Sequence, residues 1–383
     1  MHIKYNDVGK QWDIIEASCF GKIKNFLQSG NYMNEDIKYE FEQKFIETLF
    51  PSKNVQAVGV SNGTSALRIA LECLELQGST CVVMPTNTFV SNAMVCSQLG
   101  YEIKLLDFTC SYQMNTLELE DFLKRSRDSY RNIVIMAVHL TGLPCDLDII
   151  KSLSEKYGCY IIEDCSQATG TIYKGHVPVG VTGDIATFSC YPTKNLGAAG
   201  EAGVIVSKTP EYISKARAKT QNGSFTPGNP QRASILGNND RIDALQCIIL
   251  TEKLKHLKEW NQQKQKVAGW YEKRINSSIV EVPLRSDYSS YHTYHTYTGL
   301  LRNRKKDSIT NYELKNLLEE LGIETKINYK PFIHSVPYYK HLKRKFQYAD
   351  LVQDYIINLP MHPFLTEEEV DYVCDIIKKC LTK

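Results

Sequence analysis

The chain has 383 residues, 43% hydrophobic and 23% charged, which supplies core material for one large domain and one smaller one. Lys and Arg number 45 against 43 Asp and Glu, for a formal net charge of +2. That balance excludes a general nucleic-acid binder, which needs a basic excess, and leaves room for a local basic pocket. None of the 12 cysteines forms a CxxC pair, and several sit in apolar runs, so they read as reduced, buried thiols of a cytoplasmic protein. The opening MHIKYNDVGKQWDII lacks the basic-then-apolar layout of a secretion signal. No apolar run approaches the ~20 residues that span a bilayer.

In chain order, EDIKYEFEQKFIETLF has helical spacing, VQAVGVS reads as a buried strand and TSALRIALECLEL as a helix. CVVMP, YEIKLLD, NIVIMAVHL and CYIIED are short β-rich runs with helical stretches between them. Two further apolar runs flank the segment YPTKNLGAAGE. Strands alternating with helices predict an α/β fold with a mostly parallel sheet between helices, its ligands beyond the carboxyl ends of the strands. Residues 241–276 read as one long charged helix leading to a smaller α+β unit. That unit is predicted to hold strand-like YHTYHTYTGLL, helix ITNYELKNLLEELGI, strand-like ETKINY and a final helix TEEEVDYVCDIIKKC. The expected division is 1–250 for the large domain and 251–383 for the linking helix and small domain. Basic clusters at 301–306 and 340–346 read as solvated faces, with contact to a nucleotide diphosphate as the alternative.

Three elements carry chemistry. Asn62-Gly63-Thr64-Ser65 turns a strand into a helix, and a helix N-terminus with free N–H groups and a hydroxyl holds anions, or is simply a capped helix. Glu163-Asp164 ends an apolar strand at the sheet's carboxyl edge, where a carboxylate serves a metal, a ribose or a protonated ring nitrogen, or caps the next helix. Lys194 follows a proline-bearing turn and precedes Gly and Ala residues that let backbone approach a ligand; desolvated, such a lysine attacks aldehydes, and the alternative is a surface lysine. Together an anion cradle, a carboxylate and a reactive lysine match the needs of pyridoxal phosphate. A nicotinamide dehydrogenase would carry a Gly-rich fingerprint, and GAAGEAG has the wrong spacing and comes too late.

The motifs VGVSNGTSALRIAL, PTNTFVSNAMV, AVHLTG, IIEDCSQATG, GDIATFSCYPTKNLGAAGEAG, NNDRIDALQ and LPMHPFLTEEEV run in order over roughly residues 30–380. With them the chain resembles the DegT/DnrJ/EryC1/StrS sugar aminotransferases, of the aspartate-aminotransferase fold (fold type I). The resemblance implies that Lys194 carries pyridoxal phosphate, Asp164 pairs with its ring nitrogen, and Gln167 lies near its ring hydroxyl. It implies that Gly63, Thr64, Ser65 and Ser189 hold the phosphate and Phe89 stacks on the ring. Asn239 would reach the cofactor of a second subunit, in a homodimer with shared sites. Tyr191, Asn328 and Lys330 would lie near the sugar. The implied reaction moves an amino group from glutamate to a nucleotide-linked keto sugar. YPTKNLGA resembles the 3-keto members, which suggests a dTDP-linked 3-keto-6-deoxyhexose. The chain departs from the family at His139-Leu140-Thr141-Gly142, often HLYG, and at Ile327-Asn328-Tyr329-Lys330, often IHYP, which leaves the sugar open. The alternatives are a 4-keto enzyme, a dehydratase, which would have His for Lys194, and a cofactor-binding regulator, which would more readily have lost Asp164 or Lys194.

Overall fold

The computed structural model describes residues 1–226, 229–275, 279–282, 288–303 and 308–381, and the alternation of strands and helices is present throughout its first two-thirds. In order come α1 (Gly9–Ser29), α2 (Glu35–Leu49), β1 (Gln56–Val60), α3 (Gly63–Cys73), β2 (Thr80–Pro85), α4 (Val90–Gln98), β3 (Glu102–Leu106), α5 (Thr116–Ser126), β4 (Asn132–Val138), α6 (Leu147–Tyr157) and β5 (Tyr160–Asp164). β6 (Ile185–Ser189), β7 (Gly203–Ser207), α7 (Pro210–Thr220) and α8 (Ala244–Leu254) complete the large unit. Then follow α9 (Leu257–Arg274), β8 (Val280–Glu281), β9 (Tyr297–Leu301), α10 (Asn311–Glu320), α11 (Ala349–Val352), β10 (Ile356–Leu359) and α12 (Glu367–Leu381). The helix starts follow local chemistry: Asn34, Asn62 and Asp146 each accept a first-turn N–H of α2, α3 and α6, and Thr310 with Glu313 forms a capping box on α10.

Seven strands form the main sheet in the order β1-β7-β6-β5-β4-β2-β3. Only the pairings of β7 with β1 and β6 are antiparallel. Two reversals cancel, so β1 runs in the same direction as β2 to β6, and all six end on one edge. Both faces are buried, which is why the strands read as continuous apolar runs. In β2, Val82 and Met84 enter one core cluster while Cys81 and Val83 enter another on the opposite face.

A second sheet, β10-β9-β8, is antiparallel and packs with α9, α10 and α12 around Tyr271, Leu314, Ile357 and Val373. Ile3 joins this cluster and bridges Ile323, so the first residues of the chain pack on the C-terminal unit.

Three sequence expectations are corrected. The stretch read as one long helix holds two, Ala244–Leu254 and Leu257–Arg274. Cys247 and Leu250 of α8 pack into the core beside α2, whereas Val267 and Tyr271 of α9 pack into the C-terminal cluster. One straight rod cannot serve both; Lys255 and His256 donate to the Glu252 and Lys253 carbonyls at 3.2 and 3.0 Å and turn the chain. ETKINY is not a strand; it makes a single bridge, Lys326 with Asn358, before delivering Asn328 and Tyr329 to the functional site. Of YHTYHTYTGLL only Tyr297–Leu301 is a strand, because residues 291–296 cross the large unit, where His295 N–H bonds the Thr141 carbonyl at 2.8 Å.

Glu42 ties α2, β1 and α7 together. It is buried, accepts the Gly59 N–H at 2.8 Å, and pairs with Arg217 at 2.6 Å. Removing it strands both donors, although Arg217 remains one-third exposed (35%) and keeps part of its hydration. Glu42→Ala is expected to lower unfolding free energy by about 2–3 kcal/mol in chemical denaturation, below the range for a fully buried pair.

Candidate active site

A cavity of about 920 Å³ opens at the shared carboxyl edge of the main sheet. β1 delivers Asn62, Gly63, Thr64 and Ser65; β2 delivers Thr88, Phe89 and Asn92; β5 delivers Asp164 and Gln167; β6 delivers Ser189, Tyr191 and Lys194. His295, Asn328 and Tyr329 close it from the C-terminal half of the chain. Ten of the twelve candidate residues therefore meet in one place: Gly63, Thr64, Ser65, Phe89, Asp164, Gln167, Ser189, Tyr191, Lys194 and Asn328.

Alternation along β5 decides which of the two acids faces the cavity. Asp164 does: its carboxylate accepts Asn92 Nδ2 at 2.9 Å and the Ser166 N–H at 3.0 Å. Glu163 points the other way. It accepts the N–H groups of Gly180, Thr182 and Gly183 at 2.7–2.8 Å and meets His139 Nε2 at 3.0 Å. Burial alone would raise the Glu163 carboxyl, but His139 and these N–H groups hold it below its ordinary range.

Lys194 is fixed by a tight turn, its N–H bonding the Tyr191 carbonyl at 2.8 Å. A Cβ at Gly197 would lie 2.1 Å from the Pro192 carbonyl oxygen, so the glycine after Lys194 is required by the closeness of the loop to itself. Burial lowers the Lys194 pKa to about 8, against the opposing pull of Asp164. A substantial share of its amine is thus neutral near pH 8, the form that attacks an aldehyde.

At the α3 N-terminus, Ser65 is engaged within the chain. Its N–H bonds Asn62 Oδ1 and its hydroxyl donates to Asp240 Oδ1, both at 2.8 Å. The remaining donors for an anion are the Gly63 and Thr64 N–H groups and the Thr64 and Ser189 hydroxyls. Gly63 sits so close to β6 that a Cβ there would be 2.7 Å from Ser189 Cβ.

The other two candidates lie elsewhere. Lys330 does not line the cavity; its ammonium pairs with Asp354 at 2.5 Å and covers the Tyr312 ring. Asn239 is exposed and outside the cavity, accepting from the Arg241 guanidinium at 3.1–3.2 Å. In the basic cluster 340–346, Arg344 pairs with Glu118; residues 304–306 of the other cluster lie outside the described residues.

Sequence reading missed Asn92, Thr88 and His295, and named Tyr329 only as part of the segment Ile327–Lys330. Asn92 is fully buried in an apolar helix, and a polar residue in such a run signals a buried partner, here Asp164. Tyr329 bonds Gln167 and packs its ring on Phe89, centroids 5.6 Å apart.

A profile of the DegT/DnrJ/EryC1/StrS aminotransferase family matches residues 13–378. The chain belongs to this family. It is 32% identical, over 85% of its length and 84% of the relative's, to the UDP-N-acetyl-3-dehydro-alpha-D-glucosamine 3-aminotransferase of Acidithiobacillus ferrooxidans. It is 29% identical, over 92% of both chains, to the dTDP-3-amino-3,6-dideoxy-alpha-D-galactopyranose transaminase of Aneurinibacillus thermoaerophilus. Its fold matches S. venezuelae DesV, solved in complex with a ketimine intermediate, with a TM-score of 0.88 and 25% identity over 100% of this chain and 99% of that one.

The DegT/DnrJ/EryC1/StrS cofactor, pyridoxal phosphate, is compatible with the donors found here. Thr88 and Asn92 line the cavity, and their buried Oγ1 and Oδ1 atoms have no hydrogen-bond partner among the described residues. The cavity also has a helix N-terminus free to take a phosphate, a carboxylate for a ring nitrogen and a lysine with a lowered pKa. Gly63→Ala is expected to displace Ser189 or the first turn of α3. The loss of one or two charge-assisted bonds corresponds to about 10–100-fold weaker binding of pyridoxal phosphate, read by equilibrium titration of the apo-protein.

Proposed function

We propose that this chain moves an amino group from glutamate to a nucleotide-linked keto sugar, with a dTDP-linked 3-keto-6-deoxyhexose as the first choice of acceptor. The observation that carries the reading is the placement of Lys194, with its lowered pKa, in the same cavity as Asp164 and the α3 N-terminus. Two named relatives that carry the amine at the sugar's third carbon support the 3-keto choice.

In this reading the Gly63 and Thr64 N–H groups, with the Thr64 and Ser189 hydroxyls, hold the cofactor's phosphate, and Phe89 covers its ring. Asp164, held in place by Asn92 and the Ser166 N–H, keeps a proton on the ring nitrogen. The bound cofactor supplies an electron sink that makes the donor's α-proton removable. Lys194 Nζ takes that proton and, in the second half of the reaction, delivers one to the sugar carbon that receives nitrogen. Tyr191 and Asn328 contact the sugar; Lys330, engaged by Asp354, is left out of this role. A homodimer in which the exposed Asn239 reaches the neighbour's cofactor belongs to the same proposal, as does a cytoplasmic setting, which fits twelve cysteines that are all free thiols.

The test is amine formation from matched 3-keto and 4-keto nucleotide sugars with glutamate. With the diphosphate anchored, moving the ketone by one ring carbon displaces the reacting atom by on the order of one bond length, worth ~100-fold in rate. A strong preference for the 3-keto sugar is expected. Preference for the 4-keto sugar would overturn the choice of acceptor, and no amine from either would count against the nucleotide-sugar reading.

A further inference from the structure

The polar residues behind Lys194 form a buried chain whose hydrogen-bond directions can be deduced from fixed groups. Asn195 is 4% exposed, and one side-chain atom lies 3.0 Å from the Thr293 carbonyl oxygen and 2.7 Å from Asn261 Oδ1. A backbone carbonyl only accepts, so the Asn195 atom facing it is the amide nitrogen. Asn261 is oriented in the same way by the Thr169 carbonyl, 3.1 Å from its Nδ2. The other Asn195 atom is therefore Oδ1, which only accepts. It lies 3.2 Å from His295 Nδ1 and 3.4 Å from Lys264 Nζ. His295 must then carry its proton on Nδ1. Its other nitrogen, Nε2, is left as an acceptor in a ring that lines the Lys194 cavity.

We propose that His295 is a positioning residue for Lys194. Asn195 locks it in the Nδ1–H tautomer, so that Nε2 offers a neutral acceptor to the lysine amine. Asn195 and Lys194 are adjacent in the chain, so one turn places both the amine and the group that orients its acceptor. The proposal rests on Lys194 being the reactive amine and adds how its proton is held.

The surroundings keep the imidazole uncharged. Burial holds the His295 pKa well below its ordinary value, and the nearby Lys194 and Lys264 push in the same direction. Lys264, on α9, is itself lowered to about 7 by burial. The groups facing Lys194 are Asp164, which favours its charged form, and Cys190, whose thiol is pushed up to about 12 by burial. Asp164 is thus the main anion that Lys194 meets, and in this proposal the neutral acceptor that His295 presents on the cavity wall adds solvation that burial removes.

The experiment measures the pH midpoint for labelling of Lys194 in the apo-protein, with an amine-reactive probe located by peptide mass spectrometry. The parent chain is expected to label with a midpoint of about 8. His295→Phe removes the acceptor and leaves the ammonium less solvated, so the midpoint should fall by about one pH unit, while His295→Gln should restore most of it. A midpoint unmoved in a folded His295→Phe protein, or not restored by Gln, overturns the proposal. Should the Phe variant fail to fold, nitrogen-15 spectra of histidine-labelled parent protein decide. The Nδ1–H tautomer of His295 sustains the proposal and the Nε2–H tautomer refutes it. An unreactive Lys194 in the parent chain would instead contradict the functional reading on which this rests.

Discussion

Strand direction is the constraint from which the site follows. β1 is first in the chain and last in the sheet, and it reaches the common direction only because β7 runs against both of its neighbours. With β1 parallel to β6, the α3 N-terminus and the Ser189–Lys194 loop emerge on the same edge, close enough that Gly63 tolerates no side chain. Asp164 arrives on that edge from β5, and strand alternation sends Glu163 away to anchor residues 180–183. Cradle, carboxylate and lysine are three consequences of one sheet topology.

The same edge sets the electrostatics. Amide nitrogens without acceptors gather at the α3 terminus, where the helix dipole favours an anion. Asp164 places one negative charge near Lys194, whose amine is otherwise poorly solvated. Asp164 has two donors of its own in Asn92 and the Ser166 N–H, which hold its carboxylate without a direct bond to the lysine. Arg68 and the Ser65 hydroxyl hold Asp240, which keeps that carboxylate occupied beside a cradle meant for an anion.

Much of this was legible in the chain. β1 to β5 are short apolar runs bounded by turn residues, and the motifs that end them carry the site. The parts that were not legible depend on tertiary contact. The α8–α9 break has no glycine or proline to announce it; beyond it the later turns of α9 leave the clusters shared with α8 and pack Val267 and Tyr271 into the C-terminal core. ETKINY has a strand's composition but makes one bridge, and its last two residues line the cavity. The bond of the Ser65 hydroxyl to Asp240, 175 residues away in sequence, could not be read from the turn that carries Ser65. Lys330 reads as a site residue until Asp354 claims its ammonium. His295 reads as one member of an alternating aromatic stretch, and only the orientation of Asn195 shows what its nitrogens do.

The central claim is that Lys194 is the amine that holds the cofactor. Reducing the holo-protein with borohydride and mapping the labelled peptide tests it most directly. A single pyridoxyl label on Lys194, lost in Lys194→Ala while pyridoxal phosphate still binds non-covalently, is the expected result. A label on another lysine, such as the buried Lys253 or Lys264, with Lys194 unmodified, would contradict it.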